Sequence, residues 1–312
     1  MIRESIVVGE GTKYPLKGML TLPKDAEGPV PAVVLVHGSG SSNMDEKVYK
    51  LTPFKDLAEG LAKHGIASIR YDKRSHAHGL KMIRDKSQPV TVKQETIEDA
   101  VLATELLKRD RRIDPENIFI IGHSMGGMLA PRIDAEGGNY RGLIMMAGTP
   151  RRLEIIMEEQ LKASFAEMGK VVRFFAEKSG RKILKKFDGM YDMTDEEAMK
   201  LKIGGGTTVY YFKEMGEPTV AAYLEKVQKP MLIMQGEKDC QVKVEKDFAA
   251  YKEILADRDD VTFKLYANLN HAFVPAIYDS ILKVKKEFSV ERHIDEDVIA
   301  DIADWMKAVG AI

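Results

Sequence analysis

Short β-rich runs alternate with amphipathic stretches along most of the chain. AVVLVHG (32–38) and IASIRYD (66–72) read as buried parallel strands, and NIFIIG (117–122), GLIMMAG (142–148), PMLIMQG (230–236) and VTFKLYA (261–267) supply four more. Strands alternating with helical segments predict an α/β fold: a mostly parallel sheet flanked by helices. Residues 2–8 and 16–22 read as opening antiparallel strands around a glycine-rich turn. Thr52 is placed to cap a helix that begins at Pro53, where a missing N–H costs nothing. Another helix is expected from Thr91, with Thr91 and Gln94 at capping-box spacing, through ETIEDAVLATELLKR. A terminal helix around 296–309 carries Val298, Ile302, Trp305, Met306 and Val309 at mostly helical spacing.

The alternation breaks over 151–228, a stretch rich in Lys, Glu, Met and aromatics. Its periods are helical, TTVYYF (207–212) is its one candidate strand, and Thr194 with Glu197 forms a second capping-box pattern. The segment therefore reads as a mainly helical cap (lid), 151–228, inserted late into a core formed by residues 1–150 and 229–312. Of its aromatics, Phe165, Phe174, Phe175, Phe187, Tyr191, Tyr210, Tyr211 and Phe212, the majority are expected in the cap's own core and the remainder on a pocket.

Composition narrows the partners. With 312 residues, 44% hydrophobic and 30% charged, the chain is long and apolar enough to bury a large core. Its 47 basic and 48 acidic residues nearly cancel, and without a long basic block nucleic acid is not an expected partner. No stretch has the length of a membrane span, and MIRESIVVGEGTKYPLKG lacks the charged-then-apolar order of a secretory leader, so the expectation is a cytoplasmic protein without membrane contact. A single cysteine, Cys240, agrees with a reducing compartment and permits neither an internal disulfide nor a multi-thiolate metal site.

Chemistry concentrates where the strand at 117–122 meets the next helix. There the chain reads Gly122-His123-Ser124-Met125-Gly126, a G-x-S-x-G between strand and helix. Such a turn strains the serine and lifts its hydroxyl above the sheet, Gly122 and Gly126 avoid clashes of the neighbouring chain, and the helix N-terminus favours developing negative charge. A serine hydroxyl needs a base within hydrogen-bond reach and a third group to orient that base. After such an elbow the order is Ser, acid, His. His271 lies just after the last predicted strand and Asp239 just after the one before, whereas Asp257, Asp259 and Asp260 precede the last strand and fall at the far end of the sheet. The expected triad is Ser124, Asp239 and His271. The oxyanion hole needs two backbone amides: Met125, following the nucleophile, and Ser39 in the HGSG loop (37–40), where Gly38 and Gly40 allow close approach. His37 is expected to pack and hydrogen-bond beneath that loop.

These motifs resemble those of α/β-hydrolases, and more narrowly of bacterial carboxylesterases with an HGSG loop, an acidic pair after it and a downstream RYDKR: here His37 to Gly40, Asp45-Glu46 and Arg70 to Arg74. The similarity covers 1–150 and 229–312, and Ser41-Ser42-Asn43 stands where a proline and charged residues are commoner. The resemblance implies a cofactor-independent, serine-dependent carboxylic ester hydrolase for small-molecule esters with short acyl or aryl groups, working through an acyl-enzyme. A thioesterase, acyl-peptidase or acyltransferase would use the same triad, and a non-catalytic hydrolase-fold binding protein stands behind these; homo-oligomerisation is left open. His76 and His78, in an expected loop after RYDKR, lack a nearby carboxylate–histidine set, so no metal is expected.

Overall fold

The structure is a computed structural model and describes residues 1–311. Among the described residues ten strands form in chain order: β1 (Ile2–Val8), β2 (Leu16–Leu22), β3 (Val30–Val36), β4 (Ala67–Tyr71), β5 (Ile113–His123), β6 (Leu143–Met146), β7 (Lys202–Gly204), β8 (Thr207–Thr208), β9 (Met231–Gly236) and β10 (Val261–Tyr266). Eight of them make one sheet in the order β1-β2-β4-β3-β5-β6-β9-β10. Pairing is antiparallel at β1–β2 and β2–β4 and parallel from there on. This is the α/β architecture that the alternation predicts.

Helices α1 (Pro53–Lys63), α2 (Arg74–Arg84), α3 (Glu98–Arg109) and α4 (Met125–Ile133) fill the connections as far as β6. Between β6 and β9 come α5 (Leu153–Ala166), α6 (Lys170–Leu184), α7 (Asp195–Lys200), α8 (Val209–Gly216) and α9 (Val220–Leu224), and then α10 (Ala249–Ile254), α11 (Val284–Phe288) and α12 (Glu296–Ala308) complete the chain. The continuous apolar character of the central strands follows from covering both faces. Val34, Val36, Ile118, Ile120, Met145 and Ile233 pack with α3 and α4, while the alternate residues Val33, Leu35, Phe119, Ile121, Ile144 and Met234 pack with Phe54 and Leu57 of α1 and Ile302 and Met306 of α12.

Several local expectations are corrected. TTVYYF is not a strand: only Thr207 and Thr208 pair, with β7, and the chain turns helical at Val209, whose burial alongside Phe212 and Gly216 has helical spacing and overrides β-propensity. SHAHG is not a loop, because Arg74 opens α2, although His78 breaks its helical dihedrals. Pro53 does open α1, but the Thr52 side chain makes no capping bond and its carbonyl accepts from Lys55 and Asp56 instead. At Thr91 half a capping box forms: Gln94 N–H reaches the hydroxyl at 3.4 Å, and a π-helical turn over Lys93–Ile97 precedes α3. The box at Thr194 and Glu197 is complete in both directions.

Candidate active site

The turn from β5 to α4 places Ser124 at φ 55°, ψ −117°, a conformation that ordinary residues rarely adopt. Two neighbours make the turn possible. A Cβ on Gly122 would collide with the carbonyl of Gly126, and one on Gly126 with the carbonyl of Val36 in the adjacent strand. Ser124 N–H donates to the Met146 carbonyl at 2.8 Å and its own carbonyl accepts from Met128 at 3.0 Å, so the backbone is fixed on both sides. Among the described residues its hydroxyl makes no hydrogen bond and opens on a cavity of about 630 Å³ that His271 also lines. Contacts of this kind commonly tighten only when substrate is bound.

Asp239 follows β9 and His271 follows β10, at the same edge of the sheet. His271 Nδ1 lies 2.6 Å from Asp239 Oδ2, with both residues buried. The carboxylate is immobilised by three more donors: Gln235 Nε2 to Oδ2 at 2.8 Å, and the amides of Gln241 and Val242 to Oδ1 at 2.7 and 3.0 Å. Asn270 shapes the histidine turn by accepting the Ala272 amide and donating to Glu287 Oε1 at 2.8 Å. With Asp239 on Nδ1, the other ring nitrogen is left for the cavity. Asp260 instead pairs with Arg258 just before β10, at the opposite end of the strands, and Asp257 and Asp259 lie in that same connection.

The amides of Ser39 and Met125 are engaged in no hydrogen bond among the described residues, and both residues border the cavity beside Ser124. Gly38 approaches Ser124 closely enough that an added Cβ would sit 3.1 Å from the serine Cβ. Gly40 plays a different part from close approach: nothing lies within 4 Å of where its Cβ would be, and its φ of +86° is what calls for glycine. His37 packs between Phe54 and Tyr71 and contacts the Asn43 carbonyl at 3.0 Å, and burial lowers its pKa to about 4, so it is neutral.

Behind these groups lies a charged network that the linear motifs did not disclose. Glu46, buried and at φ 49°, accepts the Gly38 amide at 2.7 Å and stands 2.9 Å from His123 Nδ1. His123 Nε2 lies 2.9 Å from the His271 carbonyl. Burial works against charge on both members, yet their mutual attraction prevails, holding Glu46 below and His123 above their ordinary values. RYDKR also serves the loop: Arg70 reaches Asp45 at 2.9 Å, Asp72 accepts the Met44 amide at 2.9 Å and Lys73 Nζ donates to the Gly38 carbonyl at 2.8 Å, while Arg74 turns away to Asp99. The signal in the sequence is compositional: Asp45-Glu46 after HGSG, with Arg70 in β4 and Lys73 and Arg74 just after it, which does not say which residue pairs with which.

The cavity wall is largely apolar, with Met82, Ile83, Val90 and Met128 from the core side and Leu153, Ile156 and Met157 from α5. Of the expected aromatics, Tyr211 and Phe212 border it, whereas Phe174 and Phe175 are more than half exposed at 61% and 63%. A smaller cavity of about 240 Å³ meets it at Ser124, between Ser41, Leu51 and Phe288. His76 borders the larger cavity and His78 contacts the Pro15 carbonyl at 2.7 Å; among the described residues no three His, Cys, Asp or Glu side chains cluster as metal ligands.

Comparison with known proteins identifies the family and the fold. The family profile described as serine aminopeptidase, S33, matches residues 28–275. Esterase EstD of Thermotoga maritima is 36% identical over 293 residues, 93% of this chain and 65% of EstD, so the chain spans just under two thirds of that relative's length. Among solved structures, Est1E from Butyrivibrio proteoclasticus superposes with a TM-score of 0.60 at 16% identity over 99% of both chains. An esterase of Pyrococcus furiosus gives 0.58 at 17% identity, over 98% of this chain and 91% of its own. At such identities these two structures show a shared fold.

Proposed function

The chain belongs to the serine aminopeptidase S33 family of α/β-hydrolases, and from that membership we propose that it is a serine-dependent carboxylic ester hydrolase, with Ser124 as nucleophile, His271 as base and Asp239 as its orienting acid. The observation that carries the reading is Ser124 at positive φ, opening on a cavity shared with a histidine whose far nitrogen is held by a buried carboxylate. His271 takes the serine proton as the hydroxyl attacks the ester carbonyl, and the Met125 and Ser39 amides receive the negative oxygen. Collapse expels the alcohol, which takes the proton back from His271. Water then attacks the acyl-enzyme by the same route and frees the acid.

We assign the segment 151–228 the role of a cap that sets substrate choice, because α5 and α8 contribute to the apolar wall beside the serine. Room of about 630 Å³ lined by methionine and aliphatic side chains suits an aryl or short acyl group on one side of the ester, with the smaller cavity for its other side. The esterase names of EstD and of the two structural neighbours fit the ester-hydrolase reading. The single cysteine fits a cytoplasmic setting, and among the described residues no helix is long and apolar enough to cross a membrane.

The test is fluorophosphonate labelling together with turnover of aryl esters graded by acyl length, with matched amides and thioesters alongside. Ser124→Ala should abolish labelling and lower ester turnover by about 10⁴ to 10⁶-fold with the fold intact. A tenth of the activity surviving in pure variant protein would remove Ser124 from the chemistry, and faster turnover of the amides or thioesters would reassign the reaction.

A further inference from the structure

Ser39 can serve the oxyanion only if its N–H points steadily at the reacting carbonyl, yet its peptide lies between two glycines in a loop whose tip is exposed. A glycine peptide left to itself would swing. Gly38 does not, because charged side chains hold it on both of its backbone groups. Its N–H donates to Glu46 at 2.7 Å, and its carbonyl accepts from Lys73 Nζ at 2.8 Å. That carbonyl and the Ser39 N–H belong to one planar trans peptide and point in opposite directions. Anchoring the oxygen on Lys73 therefore fixes the Ser39 N–H on the side away from Lys73, in a loop whose Ser39 lines the cavity together with Ser124 and His271.

The lysine is costly where it is. Only 2% of Lys73 is exposed, burial lowers its pKa, and the nearest carboxylate oxygen, on Glu95, stands 3.8 Å away. For stability alone, replacing Lys73 and Glu95 together by uncharged side chains of similar volume would serve as well or better. The carbonyl is then what the charge acts upon. A cation on the carbonyl oxygen draws electron density through the amide and strengthens its N–H as a donor, and in a buried setting this effect is enlarged.

We propose that Lys73 is a positioning residue of the oxyanion hole: by holding and polarising the Gly38 carbonyl it orients the Ser39 amide toward the negative oxygen of the tetrahedral intermediate. The proposal rests on the serine-hydrolase reading above. Glu46 fixes the preceding peptide and, through His123, reaches the His271 carbonyl, so one buried network ties the oxyanion loop to the elbow and the histidine turn.

The experiment compares wild type with Lys73→Met in ester turnover and in binding of two ketones that carry the preferred acyl group. A trifluoromethyl ketone forms a hemiketal: Ser124 Oγ bonds to the ketone carbon, its proton passes to His271 and the oxygen becomes the anion in the hole. The matching methyl ketone stays a ground-state analogue. Lys73→Met should lower kcat about 10 to 100-fold, less than or equal to the loss of a whole donor, with KM within about threefold. Trifluoromethyl ketone affinity should fall by the same factor as kcat/KM, and methyl ketone affinity should not move. If Lys73→Met does not fold, Lys73→Met with Glu95→Gln removes both charges together and takes its place. Unchanged kcat, a kcat loss without the matching inhibitor loss, or failure of both variants to fold overturns the proposal. A wild type that neither reacts with fluorophosphonate nor binds the trifluoromethyl ketone would instead sink the hydrolase reading, before any variant is made.

Discussion

Replacing Asp239 by asparagine exchanges a single oxygen for an amide nitrogen, and the hydrogen bonds around the carboxylate determine the effect. Oδ1 of Asp239 accepts two backbone amides, from Gln241 and Val242, while Oδ2 accepts from His271 and Gln235. An asparagine has one oxygen for these two duties. If it serves the backbone amides, its NH2 faces His271 Nδ1 and donates to it, which forces the ring proton onto the nitrogen that should receive the serine proton. If it turns its oxygen to the histidine, two backbone donors, one buried and one partly buried, face an NH2, and each lost partner costs roughly 1–3 kcal/mol. The second arrangement, the only productive one, is thus disfavoured by about 2–6 kcal/mol, a factor of about 30 to 3 × 10⁴ at 1.36 kcal/mol per decade. Losing the charge that stabilises the imidazolium adds to this, so kcat/KM should fall by on the order of 10³ to 10⁵. The assay is turnover of an aryl ester by Asp239→Asn beside Asp259→Asn and Asp260→Asn, each checked for an unchanged thermal transition. The latter two should stay near wild type, since Asp260 is engaged with Arg258 at the other end of the sheet. A folded Asp239→Asn that keeps more than a tenth of the activity refutes the argument, and a larger loss at Asp260 would move the acid.

The buried Glu46–His123 pair should appear as a pH-dependent stability difference. The pKa of His123 is raised from 6.5 in the fold, so its contribution is complete below that value and is lost as pH rises through the folded pKa; that of Glu46 is lowered from 4.5, so its contribution is complete above that value and is lost as pH falls through the folded pKa. Glu46→Gln keeps an acceptor for the Gly38 amide but removes the charge, so the Tm gap to wild type should be widest between about pH 4.5 and 6.5 and narrow on either side. A gap that stays constant from acid to alkaline pH would refute the assignment. In the cavity wall, Met157→Trp should fill space beside the serine and cost about fourfold in kcat/KM for each acyl methylene it excludes, from ~0.8 kcal/mol per buried CH2, while sparing acetate esters. An unchanged ranking of acyl lengths would place the acyl group elsewhere.

What the sequence reveals here depends on how local the controlling physics is. The central strands were legible because burial on both faces leaves them apolar at every position, a signal carried within six or seven residues. Ser124 was legible for a related reason: the sharp turn forces glycine at 122 and 126, a pattern written within five residues even though the Gly126 collision comes from Val36 in the adjacent strand. Asp239 and His271 were reachable because parallel strands bring successive loops to one edge, so chain order stands in for position. The misreadings lie where local preference and tertiary burial disagree. Tyr210 and Tyr211 favour a strand by propensity, but a stripe through Val209, Phe212 and Gly216 is buried, and the helix wins. Between Arg74 and Arg84 two histidines and a glycine suggest a loop, yet Arg74 is drawn onto Asp99 of α3, and the chain continues as a helix that presents Met82 and Ile83 to the cavity.

The polar network behind the oxyanion loop was illegible for the opposite reason, since nothing in its spacing encodes its partners. Glu46 and Lys73 are 27 positions apart and meet only because β3 and β4 are adjacent and parallel, so that the loop after one overlies the turn after the other. Charged residues at such sites look like ordinary solvated surface until the fold buries them. Once buried, Glu46, Lys73 and His123 can be tolerated only with specific partners, and those partners are the Gly38 peptide and the His271 carbonyl rather than one another alone. A surface mutation can be absorbed by water, but here part of each group's compensation is a backbone atom of the catalytic apparatus. Perturbing any one of them should therefore register in the geometry of transition-state binding before it registers in substrate binding, the split between kcat and KM that the Lys73 variants are designed to read.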